Sequence, residues 1–533
     1  MKGEMKSLAA FVFILACVDA YIVNPGPKYP ATKGYVWPAP QYQNFNESYY
    51  SVNVQKFAFK TSENCNILYN AQRRYLEFIQ AHIPTLGKIK VGKENNYLGE
   101  LTQVSITLSE ICDDNAYPNL DMDESYVLSV AEDGANISAP TIWGALRGME
   151  TFSQLLYSAE DGISTRINIT SIVDSPRFPH RGILVDTSRH FIPLEQLKQI
   201  IDAMAFNKLN VFHWHIVDDQ SFPFVSTTFP ELSAQGAYHP QLYVYSPDDV
   251  AVIIEYSKQR GIRVIPEFDT PGHTRSWGIS HPELLTPCDS VQKNSYGPMD
   301  PTKNLTYTFV EDLFTEVRKV FRDQFIHLGG DEVDFDCWEN DTNITAFMTE
   351  KNITSYANLE GYYIQNILDT VDNLNFSSIV WEEVFSNGVN LPNETIVHVW
   401  KDWDGNSWVE TMYQVTKKGK TGLLSACWYL DHLATGGDWK TFYECEPTEF
   451  GGNSEQTKLI LGGEACMWSE LVNQYNIVQR IFPRASAVAE KLWSAKVENA
   501  NEDFVSRRLE EHVCRMNKRG IPAQPPNAAG FCL

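Results

Sequence analysis

The sequence lacks several features that would place it in particular classes of protein. It has no excess of basic residues, because 67 Asp and Glu outnumber 43 Lys and Arg and give a net charge of −24. Such a charge is repelled by nucleic acid and by anionic membrane surfaces, so neither is expected as a partner. Low-complexity segments and internal repeats of short fixed period are also missing. The 533-residue chain, with 43% hydrophobic and 21% charged residues, has the composition of a globular protein, and its length predicts two domains.

Long hydrophobic runs are missing after the N-terminus. Two lysines and an apolar run over residues 8–18 precede small residues and a cut site before Tyr21. The run is too short to cross a bilayer and no later segment is long enough, so we expect no membrane span. Residues 1–20 are therefore predicted to be a signal peptide, and the protein is expected to be lysosomal or secreted.

Export also agrees with nine acceptor sequences for N-glycosylation. They stand at Asn46, Asn136, Asn168, Asn304, Asn340, Asn343, Asn352, Asn375 and Asn393. Removal of the signal peptide takes away Cys17 and leaves nine cysteines. In an oxidising compartment several of them should pair, and the odd number leaves at least one free.

The chain divides into two regions of different pattern at a proline-containing segment, residues 175–179. Residues 21–50 are rich in Pro, Tyr and Asn and are expected to form an extended surface arm. Apolar residues alternate with polar ones over 104–108, as in a half-buried strand, and recur at helical spacing over 142–156. We therefore predict an α+β domain over residues 21–176 and a second domain over residues 177–533.

The second region contains eight short apolar runs that we predict to be strands. They begin near Gly182, Val211, Arg263, Phe325, Ser378, Ile396, Gly422 and Ile460. Eight buried parallel strands joined by helical crossovers describe an α/β fold, the (β/α)8 or TIM barrel. The fifth connection, residues 384–396, is too short for a full crossover helix, so the fifth helix should be irregular or absent.

Polar and aromatic residues collect at the carboxyl ends of these strands, where barrel enzymes place their chemistry. In chain order they are Arg189, His190, Asp218, Asp219, Glu267, Asp269, His273, Asp331, Glu332, Trp381, Glu382, Trp400, Tyr429, Asp431, Trp468 and Glu470. Chance would scatter them over both ends of the strands. Their position at one rim predicts a polar substrate pocket.

The segment IHLGGDEVDF at 326–335 places Asp331 and Glu332 side by side after two glycines. On an extended backbone neighbouring side chains point to opposite sides. The two carboxylates are therefore not expected to clamp one bond from both faces, as the acid and nucleophile of most glycosidases do. Two different tasks on one side of a substrate are expected instead. Considered alone, the segment also fits a solvated Asp-Glu pair at a turn.

Five motifs follow one another along the second region. They are RGILVDTSRH at 181–190, HWHIVDD at 213–219, PEFDTPGHT at 266–274, HLGGDEV at 327–333 and GGEACMWSE at 462–470. With these motifs the chain resembles the β-N-acetylhexosaminidases of glycoside hydrolase family 20, most closely the animal-type lysosomal and secreted enzymes. The resemblance covers nearly the whole chain. The family also lacks a regular fifth barrel helix, which agrees with the short connection noted above.

The resemblance implies exo-acting hydrolysis of terminal β-linked N-acetylhexosamine with retention. The substrate's own 2-acetamido oxygen would replace the enzyme nucleophile and form an oxazolinium ion. Glu332 would be the general acid and then the base, with its pKa held near the working pH by partial burial among aromatic residues. Asp331 would accept a hydrogen bond from the acetamido N–H, and Tyr429 would donate one to the acetamido oxygen.

The resemblance also implies the remaining binding residues and the partners. Sugar contacts would come from Arg189, Asp218, His273, Trp381, Trp400, Asp431, Trp468 and Glu470. The partner would be a glycan of a glycoprotein, a glycolipid or a chitin oligosaccharide, and the chain would form a homodimer, as family members often do. No metal and no other cofactor is implied.

Five further residues of the rim and barrel strands receive only supporting assignments. His213 and His215 share a strand face but lack a third ligand at metal spacing, so we expect a structural role. Asp219 and Glu267 are expected either to bind substrate or to support Arg189 or His273. We interpret Asp269 as a loop carboxylate.

The resemblance pairs six of the cysteines. It implies the bridges Cys65–Cys112, Cys288–Cys337 and Cys514–Cys532, of which the second would tie two loops beside Glu332. Cys427 and Cys466 fall in the seventh and eighth predicted strands, where a free cysteine packs as a small hydrophobic residue. Cys445 has no assignment.

Two alternative functions are weighed against this interpretation. A substrate-assisted chitinase requires D-x-x-D-x-D-x-E, and Trp338 stands where the glutamate is needed. A catalytically inactive carbohydrate-binding or adhesion protein on the same fold would be expected to lack the acid or the acetamido contacts. Glu332, Asp331 and Tyr429 are all present.

Asp431 and His432 lead to a prediction about substrate choice. Family members that accept sulfated amino sugars carry a neutral or basic pair near this point, whereas here a carboxylate stands at the pocket mouth. We predict that neutral terminal GlcNAc or GalNAc is hydrolysed faster than the 6-sulfated sugar, because like charges repel. Rates on neutral and 6-sulfated chromogenic substrates test this, and equal rates would contradict it.

Overall fold

The computed structural model describes residues 32–81, 96–159, 164–288, 295–403, 405, 407–432, 437–497, 500–527 and 532. The predicted signal peptide and residues 21–31 of the predicted arm lie outside the described residues. The rest of the predicted arm is not a surface arm, because residues 42–50 belong to a strand that pairs on both sides within a sheet. None of the described helices combines the length and the apolar character needed to cross a bilayer.

The N-terminal part is a mixed eight-stranded sheet with two helices that pack on it and on each other. Its elements are β1 (Tyr42–Val52), β2 (Ala58–Lys60), α1 (Asn66–Ala81), β3 (Tyr97–Leu101), β4 (Gln103–Leu108), β5 (Tyr126–Ala131), β6 (Gly134–Ala139), α2 (Ile142–Leu155), β7 (Tyr157–Ser158) and β8 (Thr165–Asp174). The strand order is β2-β4-β6-β5-β8-β1-β3, and β7 pairs with β8. The alternating run at 104–108 lies in β4, and Thr141 caps the predicted helix α2.

The second part is a closed barrel of eight parallel strands with helices around it. Its elements are β9 (His180–Asp186), α3 (Leu194–Phe206), β10 (Val211–Val217), α4 (Glu231–Gly236), α5 (Pro247–Lys258), β11 (Arg263–Phe268), β12 (Leu285–Pro287), β13 (Tyr296–Met299), α6 (Asn304–Val320), β14 (Phe325–His327), α7 (Phe335–Glu339), α8 (Thr342–Lys351), α9 (Tyr356–Asn373), β15 (Ser377–Trp381), α10 (Glu382–Ser386), β16 (Ile396–Val399), α11 (Trp408–Lys417), β17 (Thr421–Leu424), α12 (Trp439–Glu444), α13 (Ser454–Thr457), β18 (Ile460–Met467), α14 (Ile477–Ile481), α15 (Arg484–Trp493) and α16 (Glu502–Lys518). The strands close in the order β9-β10-β11-β14-β15-β16-β17-β18, and β12 and β13 form a separate hairpin.

The barrel confirms the predicted fold class. Each of the eight predicted runs contributes one barrel strand. Between β15 and β16 the connection holds only the five-residue helix α10, so the fifth helix is short, as expected from the connection length. All neighbouring strands of the barrel run parallel, so their carboxyl ends meet at one rim.

The barrel interior has an apolar layer at its amino end and a polar layer above it. The apolar layer consists of Val211, Ile265, Phe325, Ile379, Ile396 and Leu423. Two residues further along several strands come His213, Glu267, His327, Trp381 and His398, all buried. Glu464 reaches this layer past Gly182, where a Cβ atom would stand 2.6 Å from the Glu464 Cγ. The apolar layer lies at the lower end of the barrel, and from that end His180, the first residue of β9, contacts Glu464 at 2.6 Å.

Buried ion pairs hold the N-terminal sheet against the barrel. Glu124, between β4 and β5, accepts hydrogen bonds from Arg147 of α2 at 2.8 Å and from Arg181 of β9 at 2.7 Å. Asp174 at the end of β8 accepts from Lys208 at 2.8 Å. Breaking such a buried pair from one side costs about 3–5 kcal/mol, because it leaves an uncompensated charge. The two parts are therefore fixed in one arrangement at this interface.

The structure contains four disulfides among the described residues, three of them implied by the resemblance. These are Cys65–Cys112, Cys288–Cys337 and Cys514–Cys532. The expectation that Cys427 is free was wrong: Cys427 lies after β17, which ends at Leu424, and pairs with Cys445. Cys466 is the free cysteine of the described residues and is buried in β18.

The predicted glycosylation sites differ in accessibility. Asn46, Asn304, Asn340, Asn343, Asn352, Asn375 and Asn393 are exposed, and Asn136 is half-buried. Asn168 is buried in β8, where its side chain accepts a hydrogen bond from the Tyr157 hydroxyl at 2.7 Å. A glycan on Asn168 would have to displace this contact, so the structure does not favour attachment there.

The Cys427–Cys445 bridge closes a loop that contains Tyr429 and Asp431 and offers a matched comparison. Cys514–Cys532 has the same sequence separation of 18 residues. Loop-closure entropy predicts that serine replacement of either pair lowers the unfolding free energy by about 3 kcal/mol. Only the Cys427→Ser/Cys445→Ser protein should also lose the hydrolytic activity that the resemblance implies, because this loop carries residues of the predicted substrate pocket. Thermal unfolding and rate measurements on both variants test this, and equal activities would contradict it.

Candidate active site

A cavity of about 330 Å³ lies at the carboxyl ends of the barrel strands. It is lined by Arg189, His273, Asp331, Glu332, Trp381, Trp400, Trp403, Tyr429, Asp431, His432, Trp468, Glu470 and Leu471. Every residue to which the resemblance gives a catalytic role or a sugar contact lies in this lining except Asp218, which is buried beneath it. Trp403 and Leu471 are not among the residues predicted from the sequence, although each stands within three residues of a predicted one.

The backbone before the two central carboxylates is not extended, which corrects the sequence-based expectation. Strand β14 ends at His327, and φ is positive at Gly329 (68°), Gly330 (91°) and Glu332 (49°). A Cβ atom at Gly329 would stand 1.8 Å from the Asp269 Oδ1, so only glycine fits there. A left-handed conformation at a residue other than glycine costs about 1–3 kcal/mol. This turn directs both Asp331 and Glu332 into the same cavity.

Asp331 is a buried carboxylate with one free acceptor. It is 7% exposed, and its Oδ1 has no hydrogen-bond partner among the described residues. Its Oδ2 lies 3.6 Å from the Nε2 of His273. A buried oxygen without a partner costs about 1–3 kcal/mol, and a ligand N–H in the cavity would recover this loss. Asp331 is thus placed to accept a hydrogen bond from a bound molecule.

Asp269 lies beneath Asp331 and is not the loop carboxylate that the sequence suggested. It is buried, and its Oδ1 accepts a hydrogen bond from the Gly330 N–H at 2.9 Å. Burial and the neighbouring Asp331 charge raise the pKa of Asp269 well above its usual range. The raised pKa favours the protonated form of Asp269, and a protonated carboxyl can donate a hydrogen bond to a neighbouring carboxylate.

Glu332 is more exposed than the resemblance suggested. Its side chain is 59% exposed, and its Oε2 lies 3.6 Å from the Nε2 of His273. The His273 side chain, whose Nε2 faces this oxygen, lowers the pKa of Glu332, although partial burial opposes the shift. That aromatic neighbours hold this pKa near the working pH stays a prediction.

Asp218 is buried beneath the cavity and contacts two of its basic residues, His273 and Arg189. Its Oδ1 lies 3.1 Å from the Nδ1 of His273, and its Oδ2 lies 2.8 Å from the Nη2 of Arg189. Arg189 also donates to Asp186 at 3.0 Å and reaches Glu470 at 3.6 Å. Held by two buried carboxylates, the Arg189 guanidinium has little freedom to reorient. It presents a fixed cationic donor at the cavity wall.

Aromatic rings form the opposite wall of the cavity. Trp381 lies 6.2 Å from both Trp400 and Trp468, measured between ring centroids, and Trp400 stacks on Tyr429 at 6.1 Å. Trp403 packs edge-on against Trp400 at 5.0 Å. Burial raises the pKa of the Tyr429 phenol well above its usual range, so this hydroxyl remains a hydrogen-bond donor. The wall suits an apolar group with a polar oxygen beside it.

Buried carboxyl groups stand behind this wall. Glu383 accepts a hydrogen bond from the Trp400 indole at 2.9 Å and lies 2.8 Å from the Nζ of Lys401. Burial and the Asp331 charge raise the pKa of Glu383 to about 7. Glu360 accepts from Asn387 at 2.9 Å, and burial and the Glu383 charge raise its pKa to about 8.

Several His and acid groups lie close enough to suggest a metal, for example His213, Glu267 and His327. The two ring nitrogens of His213 lie 2.7 Å from Glu464 and 3.0 Å from Glu267. These are hydrogen-bond distances, so the group forms a polar network, and the structure assigns His213 a role inside the barrel. Asp219 lies outside the cavity lining and accepts from the backbone of Arg275 at 2.9 Å.

Comparison with known families adds an independent observation. The model of the "Glycosyl hydrolase family 20, catalytic domain" matches residues 178–496, and a model described as "beta-acetyl hexosaminidase like" matches residues 36–155. Human beta-hexosaminidase subunit beta is 48% identical over 548 residues, which cover 100% of this chain and 95% of the relative. Rat beta-hexosaminidase subunit alpha is 45% identical over 508 residues, which cover 93% and 94%.

Solved structures show the same fold. A chitobiase from Flavobacterium johnsoniae matches with a TM-score of 0.80 and 29% identity over 91% of this chain and 73% of its own. An exo beta-N-acetylglucosaminidase from Vibrio harveyi, solved with N-acetylglucosamine, matches with a TM-score of 0.77 and 26% identity over 94% of this chain and 80% of its own. The similarity to both enzymes extends over more than nine tenths of this chain.

The raised pKa of Glu360 predicts a pH-dependent stability. Folded Glu360 binds a proton up to pH about 8, whereas the ordinary value is 4.5, so the folded state holds more protons between these pH values. The stability it confers is fully present below pH 4.5 and is lost as the pH rises to about 8. Relative to Glu360→Gln, which stays neutral, the wild type should lose at most about 5 kcal/mol over this range.

Denaturant unfolding of both proteins between these pH values measures the difference. Glu350→Gln, at an exposed carboxylate, is the control and should follow the wild type. If the free energy of unfolding changed with pH in the same way for the wild type and Glu360→Gln, the assigned pKa shift would be contradicted.

Proposed function

This chain belongs to glycosyl hydrolase family 20, and we propose that it is an exo-acting β-N-acetylhexosaminidase that removes terminal β-linked GlcNAc or GalNAc. One observation supports this above all others. Asp331 has an unpartnered oxygen in an aromatic-walled cavity, beside Glu332. An acetamido group would offer an N–H to Asp331, an oxygen to Tyr429 and a methyl to the tryptophans. The cavity thus has a complementary contact for each part of this substituent.

In the first step the acetamido oxygen attacks the anomeric carbon, and the oxazolinium ion forms as the glycosidic bond breaks. Water then opens this ion from the opposite face, so the two displacements together retain the anomeric configuration. We assign to Asp331 the acceptance of the acetamido N–H, which orients the group and stabilises the positive charge that develops on it. The protonated Tyr429 phenol would hold the acetamido oxygen in position for attack. The protonated Asp269 keeps a second negative charge away from Asp331.

Glu332 would donate a proton to the departing oxygen and then, as a base, take one from the water that opens the oxazolinium ion. Its pKa is lowered in the open cavity because His273 stabilises the carboxylate. A bound sugar would displace water from this half-exposed side chain, and loss of water raises the pKa of a carboxyl group. Substrate binding would therefore favour the protonated form that the first step requires.

The remaining lining residues would hold the terminal sugar. Arg189 and Glu470 are placed to bind hydroxyl groups, and Trp381, Trp400 and Trp468 to pack on the ring and the methyl group. Asp218 supports Arg189 and His273 from below and would act through them. Asp431 is the residue that would disfavour a sulfated sugar. Burial raises its pKa to about 6, so its repulsion of sulfate is complete only above that pH.

The organisation of the whole protein is also proposed. We divide it into a signal peptide at 1–20, an N-terminal α+β domain at 21–176 and a catalytic barrel at 177–533. We place it in the lysosome or outside the cell. The relatives comprise alpha and beta subunits of beta-hexosaminidase, which supports a dimer, and for this chain we propose a homodimer. Light scattering would then give twice the mass of one chain.

Two conservative variants test the catalytic assignments. Glu332→Gln should lower kcat on a β-GlcNAc substrate whose leaving group is a sugar hydroxyl by a factor of about 10²–10⁴, because such a leaving group needs the proton donor. Asp331→Asn should lower it by about 10²–10³, because it removes the stabilising charge. Glu394→Gln, at an exposed carboxylate, should leave it unchanged.

The leaving group distinguishes the two roles. A substrate with an acidic phenol needs little proton donation, so glycosidic bond cleavage by Glu332→Gln should recover on it, whereas Asp331→Asn should stay slow. Full activity of either variant would contradict the assignment. A wild type that binds GlcNAc without hydrolysing it would support the carbohydrate-binding alternative.

A further inference from the structure

Glu267 lies outside the cavity, yet it contacts both halves of the site. It is fully buried in the polar layer of the barrel, on β11. Its Oε2 lies 2.6 Å from the Nδ1 of His215 and 3.0 Å from the Nε2 of His213. Its Oε1 accepts from the Trp381 indole at 2.9 Å and lies 3.1 Å from the Nδ1 of His327. One carboxylate thus joins side chains of β10, β14 and β15.

The first connection runs to the proposed acid. The Nε2 of His215 lies 2.7 Å from Asp218, which contacts His273 at 3.1 Å, and His273 lies 3.6 Å from Glu332. Both nitrogens of His215 face carboxylates, so the ring is an imidazolium that donates in two directions. Although burial opposes it, the Glu267 charge and the Asp218 hydrogen bond raise the pKa of His215 to about 10.

The second connection runs to the sugar-binding wall. Trp381 lines the cavity and packs against Trp400 and Trp468, and its indole N–H is fixed by Glu267. His398 stacks on the Trp381 ring at 4.2 Å from the side of β16. An indole whose N–H is bound and whose face is covered has one orientation open to it. The wall therefore depends on the same carboxylate as the acid does.

We propose that Glu267 is a positioning residue for the proposed hexosaminidase reaction, which couples the orientation of the Trp381 wall to the protonation of the His273–Glu332 pair. Glu267 touches no substrate and acts only through His215 and Trp381. The inference rests on the proposed function of the cavity.

The charged and titratable groups that surround Glu267 constrain the test. They are His213 and His215 on β10, His327 on β14, His398 on β16 behind His327, Glu464 on β18 beyond His213, and Asp269 after β11. Glu464 is the matched control, because it is also a buried carboxylate between two histidines, His180 at 2.6 Å and His213 at 2.7 Å. It contacts neither His215 nor Trp381 among the described residues.

Four variants of the full chain separate the two connections. His215→Gln removes the cation beside Asp218, so the pKa of Glu332 and the alkaline limb of kcat/KM should rise by about half a pH unit or more, with KM within about twofold. Trp381→Phe removes only the indole N–H and part of the ring, so KM should rise roughly tenfold while the limb stays in place. Glu267→Gln should raise KM as Trp381→Phe does, displace the alkaline limb and lower kcat roughly tenfold or more. Glu464→Gln should lower Tm but show neither effect.

The outcomes are exclusive. A Glu267→Gln protein with wild-type KM and an unshifted alkaline limb of kcat/KM against pH overturns the proposal. A Glu464→Gln protein that reproduces both effects shows that Glu267 is merely structural and also overturns it. If Glu267→Gln does not fold, an unshifted limb in His215→Gln or an unchanged KM in Trp381→Phe overturns the proposal in its place. Failure of the proposed function is distinguishable, because the wild type itself would then not hydrolyse the N-acetyl substrate.

Discussion

The pairing of buried charges inside the barrel is the constraint on which the site depends. Moving a charged group from water into a protein interior costs several kcal/mol, and only a full set of partners offsets the loss. Here carboxylates and imidazoles alternate from Glu464 through His213, Glu267 and His215 to Asp218. Each member compensates its neighbours, so none can turn away without leaving a charge unpaired. The position of His273, and with it that of Glu332, follows from the part of this alternation that joins Glu267, His215 and Asp218.

The backbone turn at the end of β14 is the second determinant, and it depends on the first. Glu332 adopts a left-handed conformation, and Gly329 packs where any side chain would overlap with Asp269. Such a conformation persists only where the surroundings hold it. The Asp269 carboxyl accepts a hydrogen bond from the Gly330 N–H. The Nε2 of His273 lies 3.6 Å from an oxygen of Asp331 and 3.6 Å from an oxygen of Glu332. The turn therefore places Asp331 and Glu332 on one side of the cavity, which an extended strand would not do.

Much of this architecture is predictable from the sequence, and the exceptions have physical reasons. The eight strands and the rim residues follow from apolar runs that end in polar residues, because each run becomes a strand with its carboxyl end at the rim. The polar layer is not predictable in this way, since a strand buried on both faces does not reveal which side chains point inward. Asp269 comes directly after β11, where the sequence alone suggests a loop carboxylate. Only the fold shows that Gly329 packs against it and that it is buried. Cys427 and Cys445 are brought together by a loop whose path no residue spacing specifies.

The electrostatics of the cavity bear on the proposed role of the half-exposed Glu332 as an acid. Three carboxyl groups near Asp331, namely Asp269, Glu360 and Glu383, have raised pKa values because they are buried near other negative charges. Glu332 differs from these three in having a lowered pKa, because it faces the cation of His273 and still contacts water. A sugar that fills the cavity removes the water but leaves His273 in place. In the proposed reaction, a rise in the pKa of Glu332 on binding would therefore come from desolvation. Proton donation would in this way be tied to the presence of a substrate, while the raised pKa values of Asp269, Glu360 and Glu383 limit the negative charge beside Asp331.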